Sequence, residues 1–137
     1  MSTRNRAKDT IVAFGLKKPD LLWGSFFVVD AFGNVERKIH CQAFDEKLNK
    51  EKKLNFICHS TMAYTKKLSM DVRYDEGEFS RLGMDDWKLQ WDAYRRGYSL
   101  RHLKTPLCYY RATDDGTTAT RDNDQVDKVK EAFLAGL

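Results

Sequence analysis

LLWGSFFVVD, residues 21–30, is a nearly continuous apolar run rich in aromatic and β-branched residues. A strand with one wet face alternates apolar and polar side chains. A run without that alternation has both faces covered, so this segment predicts the central strand of a sheet. Directly after it, DAFGN (30–34) offers Gly33 and Asn34 for the backbone conformations of a tight turn, and VERKIHC (35–41) alternates as a half-exposed strand does. A β-hairpin follows from the pair. Before it, residues 4–16 set Ala7, Ile11 and Phe14 at helical spacing among basic residues, and KKPD ends the segment at Pro19. That pattern predicts one short amphipathic helix.

Further along, DEKLNKEKKLN (45–55) reads as a charged, solvated connection, and FICHSTMAY (56–64) as a strand crossing the core. TKKLSMDVRYDEGEFSRLG (65–83) reads as a short helical turn followed by a surface loop. In GMDDWKLQWDAYRRGYSL (83–100) a helix starts near Asp86, with Trp87, Trp91 and Tyr94 on one face and Lys88, Asp92 and Arg95 on another. Leu89 and Ala93 lie opposite the aromatic stripe, so the helix is expected to be sandwiched, with Gly97 as its stop. YSLRHL and LCYYR are two strand candidates separated by KTP, and ATDDGTTATRD is a polar loop with a turn at Gly116. A last helix opens near Asp122, with Gln125 at capping-box spacing and Val126, Val129, Phe133 and Leu137 on one stripe. Strands alternating with helices predict a mixed α/β layer fold.

The chain's 137 residues, 42% of them hydrophobic, suffice for one domain with a real core. Basic residues outnumber acidic ones only 24 to 20, with the signs interspersed, which favours anions without specifying one. Nucleic-acid binding is not expected: TRNRAK (3–8) and KLNKEKK (47–53) are basic, but an acid interrupts the second and no nucleic-acid motif is present. Cys41, Cys58 and Cys108 are odd in number, widely spaced and without a CxxC pair, so neither a disulfide framework nor a zinc knuckle is indicated. A reducing cytoplasm fits that usage. No apolar run approaches the roughly 20 residues of a membrane-spanning helix, and MSTRNRAKDT lacks the hydrophobic stretch of a secretory signal.

Asp85 and Asp86 open the aromatic helix, and two roles compete for them. Carboxylates at a helix N-terminus satisfy free backbone N–H groups and meet the positive end of the dipole, together worth about 1 kcal/mol. At the mouth of a cleft, the same group acts as general base toward a hydroxyl, while its neighbour orients the acceptor or caps the helix.

The order of segments favours the second role. FFVVDAFGNV, NFICHSTMAY, VRYDE, MDDWKLQWDAYRRGYSLRHL and PLCYYR follow one another with gaps similar to those in glycosyltransferase family 2. Over roughly residues 10–120 the chain resembles the C-terminal half of that family's GT-A type catalytic domain, which moves a sugar from a nucleotide diphosphate to an acceptor hydroxyl. The resemblance implies a partial GT-A-like mixed sheet flanked by helices. It makes Asp86 the catalytic base and puts Asp85 where the family usually has glutamate. Trp87 falls where an aromatic is common, Arg111 matches an arginine near the diphosphate, and His59 borders the acceptor side. Each also has a plainer role: Trp87 in core packing, Arg111 in a buried salt bridge, and His59 as a hydrogen-bonded core histidine. His102 reads as structural.

The family's nucleotide-binding half, with its DxD metal motif, would precede residue 10, so the chain reads as a truncated or partner-dependent transferase. Its literal DxD, Asp122 to Asp124, follows a polar loop and opens a helix, so it reads as a cap. The resemblance implies Mn²⁺ or Mg²⁺ on a bound nucleotide-sugar, yet no metal ligands are identified. Residues 112–115 also lack the histidine that relatives often place after the arginine. An apolar sheet edge or face left by the missing half needs a cover, which predicts a homodimer or a complementing subunit. The alternative is a non-catalytic remnant that binds carbohydrate or protein in the same cleft, with Trp87, Trp91, Tyr109 and Tyr110 available to stack on sugars.

Overall fold

A computed structural model describes residues 1–111, 113, 120 and 122–137. In chain order the elements are α1 (Arg6–Lys17), β1 (Leu21–Val29), β2 (Val35–Ile39), α2 (Glu46–Lys52), a 3₁₀ turn (His59–Thr61), β3 (Ala63–Tyr64), α3 (Lys66–Asp71), α4 (Glu78–Arg81), α5 (Asp85–Arg95), β4 (Leu100–Arg111) and α6 (Asn123–Ala135). The fold is α/β, with a mixed four-stranded sheet and flanking helices. Among the described residues, no helix is long and apolar enough to cross a membrane.

The apolar run 21–30 does become the centre of the sheet. β4 pairs parallel with β1 along its whole length, from Leu21 opposite Leu100 to Val29 opposite Arg111. β2 pairs antiparallel with the C-terminal half of β1, and β3 with Leu21 and Leu22. A strand has only two edges, so β2 and β3 share end to end the edge that β4 leaves. Leu21, Leu22 and Trp23 are fully buried. The turn between β1 and β2 forms around Asp30, whose Oδ1 accepts from the Phe32 and Asn34 N–H groups, with Gly33 at φ 90°. The hydrogen bond from the Asn34 side chain, aided by these backbone bonds, holds the Asp30 carboxyl below its usual range.

YSLRHL and LCYYR are one strand rather than two. The break expected at KTP is a pair of register shifts inside β4: Gly24 faces Leu103, Ser25 faces Pro106 and Phe26 faces Cys108. A bulge absorbs the proline, which has no N–H for the ladder. Gly24 permits the close approach, because a Cβ there would stand 2.6 Å from the Leu107 side chain.

FICHSTMAY does not cross the core as a strand. The Gly24 N–H that a neighbouring strand would occupy donates instead to Thr61 Oγ1 at 3.1 Å, and that hydroxyl donates to Cys58 O at 2.8 Å. A side chain has taken over the backbone's partners, the chain coils into the 3₁₀ turn, and only Ala63 and Tyr64 pair. The charged connection 45–55 is likewise not loop throughout. Asp45 caps α2 by accepting from the Leu48 N–H at 2.7 Å, and Asn49 of this helix is fully buried. Within 65–83, α3 is capped by Thr65, and a second short helix, α4, forms where loop was expected.

α1 forms where expected, and its apolar stripe packs only in part: Phe14 is half-buried while Ala7 and Ile11 are exposed. Ala13 is its buried residue, while Ile11 is 71% and Leu16 80% exposed. Residues 1–3 decide the roll by pairing with the free edge of β4: Tyr109 N–H donates to Met1 O at 2.7 Å and Thr3 N–H to Leu107 O at 3.1 Å. The helix that follows them is buried at Ala13 and partly at Phe14, and Ile11, Val12 and Leu16 are left outward.

α5 is sandwiched as its pattern predicts. Leu89 and Ala93 pack into the sheet-side core with Leu21 and Trp23, while Trp87 and Trp91 pack with Met84, Val126 and the partly buried Val129 and Phe133. Gly97, at φ 76°, ends it: Gly97 N–H donates to Tyr94 O and Tyr98 N–H to Ala93 O, a left-handed helix terminus. Asp122 caps α6 by accepting from the Asp124 and Gln125 N–H groups. The Gln125 side chain reaches Glu78 instead of closing a capping box, and Leu137 is exposed. The expected loop turn at Gly116 lies outside the described residues.

Candidate functional site

A cavity of about 540 Å³ opens where the N-terminus of α5, the 54–60 segment and the exit of β2 meet. Asp86, Trp87 and His59 line it. Its size falls within the roughly 300–1,000 Å³ of ordinary small-molecule sites.

Asp86 neither simply caps nor stands free. It is 9% exposed, Oδ1 accepts from the Trp87 N–H at 2.8 Å, and Oδ2 accepts from Asn55 Nδ2 at 3.0 Å. These bonds occupy two of the roughly four acceptor positions of a carboxylate. Asn55 is itself oriented, since its Oδ1 accepts from Gln90 Nε2 at 3.2 Å and from the Ile57 N–H at 3.1 Å. The result is a relay, Gln90 to Asn55 to Asp86, that fixes the carboxylate from both ends of α5's inner face. Desolvation pushes the Asp86 carboxyl above its ordinary value; the Asn55 and Trp87 bonds and nearby His59 oppose the shift, and Asp85 adds to it.

Asp85 is partly exposed in the same first turn and is not among the residues lining the cavity. Its charge, after burial and Tyr64, helps to hold the Tyr74 hydroxyl protonated well above the usual range. His59 is exposed at the start of the 3₁₀ turn, which removes the core-histidine reading. Its ring stacks on Tyr74 with centroids 5.4 Å apart, and its Nε2 lies 3.4 Å from the Tyr74 hydroxyl. Tyr74, outside the lining itself, touches His59 and responds to both acids.

Trp87 is fully buried and forms the back wall. Its Nε1 donates to Asn49 Oδ1 and to Leu54 O, so its role is packing and wall-building. Trp91 donates to the same Asn49 oxygen at 3.1 Å. Arg111 is exposed at the end of β4, which removes the buried-salt-bridge reading, and it is not among the cavity residues. Its neighbour Tyr110 does line the cavity, with its ring edge-on to Phe26 at 5.8 Å. His102 sits on β4 beside Trp23, as a structural residue should, with its charged form disfavoured by burial, then by Lys17 and Lys104.

Sequence reading missed Asn49, Asn55, Tyr74 and Lys130. Lys130 of α6 lines the cavity, donates to Lys53 O at 2.9 Å and lies 5.2 Å from the Trp87 ring centre. The cavity lining thus includes one carboxylate, Asp86, one ammonium, Lys130, and the imidazoles of His40 and His59. Mg²⁺ and Mn²⁺ prefer several oxygen ligands. Among the described residues no group of three or more His, Cys, Asp or Glu is placed to hold a metal ion, and this donor set does not fit one.

In comparisons with known proteins, no family model matches the chain and no curated protein matches it significantly.

Proposed function

We propose that this chain is a glycosyltransferase-type domain that transfers a sugar from a nucleotide-sugar to an acceptor hydroxyl, acting as part of a larger or partnered unit. The observation that carries the proposal is the Asp86 carboxylate: nearly buried, lining a ligand-sized cavity and oriented by Asn55. Asp86 takes the acceptor's proton as its oxygen bonds to the anomeric carbon and the bond from that carbon to the diphosphate breaks. A carboxyl pushed above its ordinary value holds that proton better than a solvated one. His59, stacked on Tyr74, shapes the acceptor rim, and Lys130 supplies positive charge within the cavity. Arg111 and Asp85 stand outside the lining, so in this reading they act on parts of the substrate beyond it. No step is routed through a metal.

Nucleotide-sugar turnover with added Mn²⁺ or Mg²⁺, compared between wild type and Asp86→Asn, tests the proposal. A general base is worth about 10²–10⁴ in rate, so the variant should lose that much. Undiminished turnover in Asp86→Asn would reject the assignment. The second reading, a non-catalytic remnant that binds carbohydrate or protein, rests on Tyr110, the cavity aromatic that is 36% exposed while Trp87 and Trp91 are buried. Sugar binding without any turnover in wild type would favour it.

Self-association, or docking of a complementing subunit, belongs to the same proposal. The outward face of α1, with Ile11, Val12 and Leu16, is what such a partner covers. Light scattering at micromolar concentration should report a dimer that Leu16→Glu dissociates; a wild-type monomer would leave only the separate-subunit form. Three free thiols fit a reducing cytoplasm as its location.

A further inference from the structure

A second, smaller cavity of about 220 Å³ lies where β3, α3 and α5 meet. Leu68, Val72 and Leu89 give it a buried apolar floor, and Tyr64, Ser69, Arg73 and Tyr74 line the rest. It adjoins the first cavity at the rim: His59 lines the one, Tyr74 the other, and their rings stack with centroids 5.4 Å apart. Being smaller than the roughly 300–1,000 Å³ of a complete small-molecule site, it suits one ring of a longer ligand.

We propose that the acceptor is a glycan of at least two sugar rings, whose reacting ring enters the cavity at Asp86 while the next ring occupies the second cavity against Tyr64, Tyr74 and Arg73. The role of the reacting ring rests on the sugar-transfer reading. The second cavity is a sugar site whether or not transfer occurs. A ligand that runs from one to the other crosses the His59 and Tyr74 stack, where His59 is exposed and Tyr74 half-buried.

The lining selects a neutral sugar ring. A pyranose has an apolar C–H face and a rim of hydroxyls, and the Tyr64 ring, 39% exposed, is a platform for that face. Arg73 is exposed, and its side chain forms no hydrogen bond or ion pair among the described residues, so its guanidinium donors are left for hydroxyl oxygens. Ser69 Oγ donates to Lys66 O at 2.8 Å, which leaves its lone pairs to accept from a sugar hydroxyl. Residues 64–76, which supply all of the lining except Leu89, carry three basic side chains, Lys66, Lys67 and Arg73, and three acidic ones, Asp71, Asp75 and Glu76. That balance gives an ionic ring no advantage over a neutral one.

The test is saturation-transfer NMR of the full chain with millimolar glucans, mannans and chito-oligosaccharides of one to three rings. Members with two or more rings should bind about tenfold more tightly than their monosaccharides, the gain expected from hydrogen bonds to a charged donor. Arg73→Gln should erase that gain, and since the Arg73 side chain supports no contact in the fold, the loss is not an unfolding effect. Tyr64→Ala should reduce the gain as well, whereas Asp86→Asn should keep it. Equal affinity for one ring and two, a gain that survives Arg73→Gln, or no sugar bound at all would overturn the proposal. A two-ring preference without turnover would reject sugar transfer and leave this site standing; turnover that a second ring does not improve would do the reverse.

Discussion

Asn49→Ala removes one oxygen on which two tryptophans depend. Trp91 Nε1 donates to Asn49 Oδ1, and Trp87 Nε1 divides its bond between that oxygen and Leu54 O. All three side chains are buried, so the variant leaves the Trp91 N–H without its acceptor and Trp87 with half of its own. An unsatisfied buried donor costs about 1–3 kcal/mol. The void left by the amide adds about 1 kcal/mol more. A loss of roughly 2–4 kcal/mol should lower the melting temperature by about 6–14 °C in a domain of this size. Urea denaturation followed by circular dichroism and tryptophan fluorescence measures it, with Lys50→Ala on the exposed side of the same helix expected within about 0.5 kcal/mol of wild type. An Asn49→Ala protein as stable as that control would refute the claim that this amide docks α2 onto α5. It would also undercut the placement of Asn55, which the end of α2 delivers to Asp86.

Two further outcomes follow from the geometry. Gly24→Ala drives a methyl against Leu107 where the nearest atom is 2.6 Å away, so thermal unfolding should show a loss of about 1–3 kcal/mol; an unchanged midpoint would mean that β1 and β4 separate more easily than their register suggests. The Asp86 carboxyl lies above its ordinary 3.8 in the folded protein, so the native state binds the extra proton within that window and stability falls as pH rises through it. Asp86→Asn cannot ionise, so its stability relative to wild type should be greater at pH 7 than at pH 3 in urea titrations; the opposite trend would show that charge on Asp86 is favoured by folding.

The candidate site was legible only in part. Asp86 and His59 could be singled out from the order of segments, but their hydrogen-bond partners could not. Asn55 lies 31 residues from Asp86 in sequence and meets it only because α2 and α5 pack together. No local pattern distinguishes that asparagine from Asn49, which holds the tryptophans instead. Arg111 carried a signal of the same kind, and the fold leaves it outside the cavity.

Features fixed within a few residues were determined by the sequence alone. The two-sided apolar run made β1 central, Asp30 to Asn34 set the hairpin turn, Gly97 ended α5 in a left-handed residue, and Asp122 capped α6. Each depends on side-chain periodicity, a cap or a positive φ, which act over one turn or one strand. The burial side of α1, the continuity of β4 across Pro106 and the coil that replaced a strand at 56–62 were decided by tertiary structure. Those outcomes depend on which free edge or buried donor arrives from elsewhere in the chain. Residues 1–3 pinning α1 against β4, and Thr61 taking the Gly24 N–H, are such arrivals, and a local pattern carries no record of them.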